Sequence, residues 1–269
     1  MPELPEVETI KVSLQPIIGA RVKEIELRRN DILRRQEYKL EEIEGKRIKA
    51  VERRGKYLSL VFGNHRNLVV HLGMSGRFYL ENENAQEDKP HVHVLIFLDN
   101  GQRLAFQDAR RFGGLWLLKD TGKFFAERLG KEPLADDFTA SYLQKGLQGR
   151  KIPIKAFLLN QQPVCGLGNI YVDEALFAAG IRPERPADSL TSKEAASLHR
   201  AIRKVLRNSI ENRGTTFRDY RDGFNQKGNF QNHLKVYGKA GSPCPKCGQL
   251  LQKTIIAGRS SHYCKNCQY

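Results

Sequence analysis

Four of the five cysteines form one pattern. Cys244-Pro-Lys-Cys247 and Cys264-Lys-Asn-Cys267 are two Cys-x-x-Cys knuckles separated by 16 residues. That spacing fits a single tetrahedral zinc ion held by four thiolates. Two disulfides or a redox pair are the alternatives, and neither accounts for two matched knuckles. Four protein ligands close the coordination shell, so the expected Zn2+ is structural; a catalytic zinc keeps a position open for water. So short a module has little core of its own, and metal binding is expected to supply its folding energy. Between the knuckles, Ile255-Ile256 and His262-Tyr263 read as short strands around Ala257-Gly258-Arg259-Ser260, which would present Arg259 at a hairpin tip. An arginine there suits a phosphate, although it can equally be solvated.

A second pattern lies at the other end, in Pro2-Glu-Leu-Pro-Glu-Val-Glu8. Removal of Met1 would leave Pro2 as a secondary α-amine. An ordinary α-amine titrates near pH 8, and a helix N-terminus disfavours its cation. An unprotonated amine of this kind can form a Schiff-base intermediate with a sugar carbon. Glu3 and Glu6, three apart, share a face and are available for proton transfer. On its own the segment also reads as an ordinary acidic helix start.

These groups need elements to position them. Val7, Ile10, Leu14 and Ile17 recur at helical spacing, and Pro5 suits a first turn. From about 20 to 118 the pattern is of strands: 47–62, 68–80 and 91–98 are β-rich runs, and Asp99-Asn100-Gly101 is a hairpin turn. A β-sandwich follows. Residues 119–140 read as an interdomain segment, and 141–212 as helical. Thr191 and Glu194 form a capping box ahead of the stripe Leu198, Ile202, Val205 and Leu206. Residues 214–234, rich in Gly, Asn and Arg, suggest a mobile loop. The expected fold class is α+β, with an N-terminal helix on a β-sandwich, then a helical domain, then a zinc ribbon. The expected divisions are 1–130, 131–234 and 235–269.

The net charge of +15 points to a polyanionic partner. Residues 202–269 carry 13 Lys/Arg against 3 Asp/Glu, so most of the excess lies in the last quarter. A solvated basic face is the alternative. No apolar run is long enough to span a bilayer, the start lacks a secretory pattern, and the cysteine usage fits a reducing compartment. The cytosol is the expected location, with association to the nucleoid.

The opening Pro-Glu-Leu-Pro-Glu-Val-Glu-Thr, the segment Gly166-Leu-Gly-Asn-Ile-Tyr-Val-Asp-Glu174 and the terminal zinc finger together resemble the formamidopyrimidine-DNA glycosylase family over nearly the whole chain. The resemblance implies a bifunctional glycosylase and abasic-site lyase of base excision repair. Its substrates would be 8-oxoguanine and formamidopyrimidines in double-stranded DNA, bound by a monomer in the cleft between its domains. Pro2 would attack C1′, Glu3 would be the main acid/base, and Glu6 would support it. Lys56, in Arg53-Arg-Gly-Lys-Tyr57, matches a lysine of β-elimination; alone it reads as a strand-edge lysine. Arg259 matches a phosphate-binding arginine of δ-elimination. Met74, Arg110 and Phe112 match residues that fill the gap left by an extruded base, and His91 a DNA-contacting histidine. The helical part is similar to the family's helix–two-turn–helix element, with Asn169 at a phosphate-binding turn and Arg150 and Lys155 at DNA-backbone positions.

Leu4 stands where endonuclease VIII-type relatives usually have glycine, which favours oxidised purines over pyrimidines. Two features depart from the family pattern. Arg213 occupies a position that is often glycine, and Cys165 with Pro163 precedes Asn169 where small or β-branched residues are usual. The loop from Asp219 to Phe230 varies within the family and covers the flipped base. A non-catalytic binder of damaged DNA that kept the finger is the rival from another class.

Overall fold

The computed structural model describes all residues except 64, 86–88, 218 and 219. The loop expected to begin at Asp219 therefore starts outside the described residues. The chain divides into two compact units, 1–127 with 210–231, and 128–209 with 232–269. The segment 210–231 thus joins the first unit, although the chain reaches it from the helices of the second.

In the first unit, helix α1 (Leu4–Ser13) begins with a proline in its first turn, where no amide hydrogen is needed. Val7, Ile10, Leu14 and Ile17 are completely buried, as their spacing predicts. Nine strands follow: β1 (Val22–Leu27), β2 (Leu33–Gln36), β3 (Ile48–Arg54), β4 (Tyr57–Phe62), β5 (Arg66–His71), β6 (Arg77–Asn82), β7 (Val92–Leu98), β8 (Gln102–Gln107) and β9 (Gly114–Leu118). They form two sheets, in the orders β1-β7-β8-β6 and β2-β9-β5-β4-β3, with β2 parallel to β9. Val94, Ile96, Leu104 and Phe106 of one sheet join Leu58, Leu60, Leu68 and Val70 of the other, with the α1 stripe, in a single core. This is the predicted sandwich. The predicted hairpin joins β7 to β8, with Gly101 at positive φ. The run 47–62, read as one β-rich stretch, is a hairpin broken at Gly55-Lys56. Short helix α2 (Thr121–Ala126) lies in the segment expected between domains.

The second unit holds α3 (Ala140–Leu147), α4 (Ile154–Leu159), α5 (Asn169–Ala179) and most of α6 (Ser192–Glu211), then the hairpin β10 (Gln252–Ile256) and β11 (Arg259–Tyr263). The capping box forms as expected: Glu194 accepts from the Thr191 amide at 2.8 Å, and its own amide donates to Thr191 Oγ1 at 3.3 Å. Leu198, Ile202 and Leu206 are buried and Val205 half-buried. Among the described residues, no helix is long and apolar enough to cross a membrane.

Candidate active site and zinc module

Pro2, Glu3 and Glu6 are buried at the start of α1. Glu6 turns back to accept the Glu3 amide at 2.8 Å through Oε2. Its other oxygen, Oε1, accepts the amide of Thr215 at 2.7 Å. One carboxylate therefore ties the start of the chain to a segment 209 positions away. Burial lowers the pKa of the α-amine at Met1; Glu3 and Glu6 oppose that effect, while Lys56 and Arg110 assist it. These four sequence-predicted residues therefore converge electrostatically on the chain start.

Lys56 is buried in the two-residue turn between β3 and β4, after Gly55 at φ 57°. It is not the solvated edge lysine its sequence context alone suggests. Arg53 fixes the turn: its Nε donates to Glu8 on α1 at 2.6 Å and its Nη1 to the Gly55 carbonyl at 3.1 Å. His71 is a residue that sequence reasoning missed. Its ring lies 4.7 Å from that of Tyr57, and its Nδ1 accepts the Gly73 amide. Burial, reinforced by Lys56, pulls its pKa down to about 4, so the imidazole is neutral at pH 7. A lone histidine at a strand end gives no sequence signal of this.

Met74, Arg110 and Phe112 lie on two neighbouring turns joined by Asp108. The fully buried Asp108 carboxylate accepts from Ser75 Oγ at 2.5 Å and from the Gly113 amide at 2.8 Å. Gly73 is required here, because a Cβ would sit 2.4 Å from the Gly113 nitrogen. Met74 is half-buried; Arg110 and Phe112 are exposed, with the guanidinium 5.8 Å from the Phe112 ring. Phe112 is 60% exposed and so stands outside the core. His91 is exposed, at φ 66°, just before β7.

In the second unit the four cysteine sulfurs lie within 4.8 Å of one another, with Sγ–Sγ separations of 3.9 Å (Cys244–Cys267) and 3.5 Å (Cys247–Cys264). Bonds of about 2.3 Å in a tetrahedron space sulfurs by roughly 3.8 Å, so the cluster fits one structural zinc. The module is seated on α5 by two consecutive acids. Glu174 accepts the amides of Lys235, Val236 and Tyr237 at 2.9–3.0 Å. Asp173 accepts the His262 amide at 2.8 Å and pairs with Lys155 at 2.6 Å.

Lys155 is fully buried, its ammonium engaged by Asp173 and by the Ser260 carbonyl at 2.8 Å, so it braces the hairpin. A lysine at the start of a helix carries no sequence mark of such a partner. Arg150 is exposed, as expected. Asn169 opens α5, whose N-cap Gly168 offers no side-chain cap. Its Nδ2 donates to Ser260, and its Oδ1 is buried without a hydrogen-bond partner among the described residues. Arg259 is exposed at the start of β11, after a two-residue turn at Ala257-Gly258 with both φ positive. Cys165 is fully buried, its Sγ 3.4 Å from Glu132.

Family models match three stretches in this order: the formamidopyrimidine-DNA glycosylase N-terminal domain over 1–115, the H2TH domain of the same enzymes over 129–221, and the zinc finger found in FPG and IleRS over 241–268. The chain belongs to the formamidopyrimidine-DNA glycosylase family. It is 59% identical over 268 residues to a formamidopyrimidine-DNA glycosylase of Syntrophomonas wolfei, covering 100% of both chains. Among solved structures it is similar to the MutM (Fpg) protein of Thermus thermophilus (TM-score 0.89, 40% identity, 99% and 98% of the two chains covered). It is also similar to a Lactococcus lactis Fpg mutant in complex with a Fapy-dG containing DNA (TM-score 0.93, 36% identity, 99% of each chain covered). Membership in this family explains the three-part motif order that the sequence displays.

Proposed function

We propose that this chain excises oxidised purines from double-stranded DNA and then cuts the strand at the abasic site. The observation that carries the reading is the joint burial of Pro2, Glu3 and Glu6 at the start of α1, where Glu6 holds the Glu3 amide. A desolvated amine is a better nucleophile at neutral pH, because burial disfavours its cation. Once Met1 is removed, that environment acts on the Pro2 nitrogen.

Pro2 then attacks C1′, the bond from C1′ to the base breaks, and the base leaves with the bonding pair and a proton. Glu3 protonates the sugar ring oxygen as the ring opens, leaving an iminium between Pro2 and C1′. The iminium acidifies C2′. Loss of a C2′ proton expels the 3′ phosphate, and a second elimination expels the 5′ phosphate. Lys56 serves the first elimination and Arg259 the second. Glu6 holds the Glu3 backbone in register. Met74, Arg110 and Phe112 fill the space the damaged nucleotide vacates, and His91, Arg150 and Asn169 take up the DNA backbone. The zinc holds the hairpin that carries Arg259 and takes no part in the chemistry. The enzyme works as a monomer on nucleoid DNA.

The test is borohydride reduction during turnover, using protein whose mass confirms loss of Met1, on duplexes holding 8-oxoguanine opposite cytosine or thymine glycol. A covalent protein–DNA adduct formed faster on the 8-oxoguanine duplex is expected. No adduct on either duplex overturns the catalytic reading; faster trapping on thymine glycol overturns the substrate class.

A further inference from the structure

Arg213 is the departure that the resemblance leaves unexplained, and its surroundings supply a reason for it. Arg213 and Gly214 are consecutive residues at φ 60° and 76°, reversing the chain just after α6. Gly214 must be glycine, because a Cβ there would sit 2.8 Å from Glu6 Oε1. Arg213 has no such requirement. It holds a left-handed backbone that glycine enters freely and L side chains resist. Its side chain therefore has to contribute something that glycine would not.

That contribution is an ion pair with the carboxylate of Asp222, which is buried while the arginine is half-exposed. Oδ2 of Asp222 takes the guanidinium, and Oδ1 accepts the amides of Phe224 and Gln226, both at 2.9 Å. Asp222 is thus the centre of a tight turn that includes Asn225 at φ 61°. The turn is anchored in the sandwich unit: the Gly223 amide donates to Ser13 Oγ on α1, and the Gly223 carbonyl accepts from Leu80 on β6. The other end of the segment is anchored on Glu6 through Thr215. Tyr220 adds a third tie, its hydroxyl donating to the Arg213 carbonyl at 3.2 Å. Among the described residues of the expected loop, Thr215 is thus tied to Glu6, and Gly223 to α1 and β6.

We propose that the Arg213–Asp222 pair is a positioning latch that sets the wall against which the departing base is held. The inference rests on the reaction proposed above. A base leaving C1′ must lie beside the sugar that the N-terminal amine attacks. Residues 215–217 and 220 belong to the segment that hydrogen-bonds directly to the carboxylate ordering that site. Phe217 on it is 54% exposed. The latch closes this segment between its two anchors, and it lies outside both sheets of the unit.

The latch separates from a general stabilising role because one reaction needs the base and the other does not. The measurements are single-turnover excision of 8-oxoguanine and strand cleavage at a preformed abasic site with the same flanking sequence, for R213G, R213K and D222N. R213G relieves the backbone while removing the pair, so it is the variant least prone to misfold. R213G and D222N are expected to slow excision tenfold or more while abasic-site cleavage stays within twofold, and R213K to recover part of the loss. Equal slowing of both reactions, or no slowing of excision, overturns the latch. Failure of the underlying reaction is seen separately, as absence of a borohydride adduct between the unsubstituted protein and abasic DNA.

Discussion

The zinc module and the start of α1 hold their key groups in opposite ways. Four cysteines converge because a metal demands it, and their two Cys-x-x-Cys knuckles lie close together in the chain. Glu6 is held by a partner far away in the chain, the amide of Thr215, and Glu3 is held in turn through Glu6. The difference teaches that one site is specified by local spacing plus an ion, while the other is specified by the whole fold of its unit. The module also borrows from the fold: Asp173 and Glu174 of α5 bind its backbone, and Phe177 packs with Val236, Leu251 and two of the cysteines.

The largest effect that can break this comparison is removal of the metal. Structural zinc supplies on the order of 10–16 kcal/mol of apparent binding energy in small fingers. Chelation at pH 7 is expected to release one zinc per chain, unfold residues 241–268 and abolish DNA binding. The far-ultraviolet spectrum is expected to keep the signal of the sandwich. Retention of duplex affinity by zinc-free protein, measured by fluorescence anisotropy, would show that the finger does not carry the phosphate contacts.

A smaller effect tests how far the module depends on α5. Lys155→Met leaves the Asp173 carboxylate buried without its ammonium partner. Breaking a buried pair from one side costs about 3–5 kcal/mol. Denaturant unfolding is expected to show a loss of that size. A loss below about 1 kcal/mol would mean that Lys155 is not the brace described. Purified Lys155→Met protein is also expected to bind duplex DNA with an unchanged salt slope, since the ammonium is buried against Asp173; a slope reduced by one phosphate contact would restore the surface reading.

The smallest effect concerns the first unit and pH. His71 is neutral in the folded chain down to about pH 4, whereas in the unfolded chain it binds a proton near 6.5. Between those values the unfolded state holds more protons. The stability that His71 contributes is therefore present above about 6.5 and is lost as pH falls toward 4. A melting temperature that declines across this window is expected, with a shallower decline for His71→Gln. Identical slopes for the two proteins would mean that His71 is solvated and titrates normally.

Much of this architecture was legible in the residues. The α1 stripe, the hairpin at Asn100-Gly101, the capping box at Thr191 and the zinc knuckles all depend on interactions within a few positions, so periodicity and turn chemistry reveal them. The chemistry of Pro2 and Glu3 was legible as residue types, and it gained its force from the family motif. Three things were not legible. Lys155 reads as surface charge until Asp173, 18 positions on, is placed against it. His71 has no local signature of a neutral imidazole. Arg213 reads as an oddity until Asp222 closes on it.

The sequence by itself determined the metal site, the class of fold and the kind of partner, because thiolate spacing, hydrophobic period and net charge act locally or in sum. The tertiary structure alone decided which ionisable groups are buried, which are paired and which meet the chain start. Those outcomes depend on desolvation and on contacts between segments as far apart as Glu6 and Thr215, and neither is written in the order of neighbouring residues.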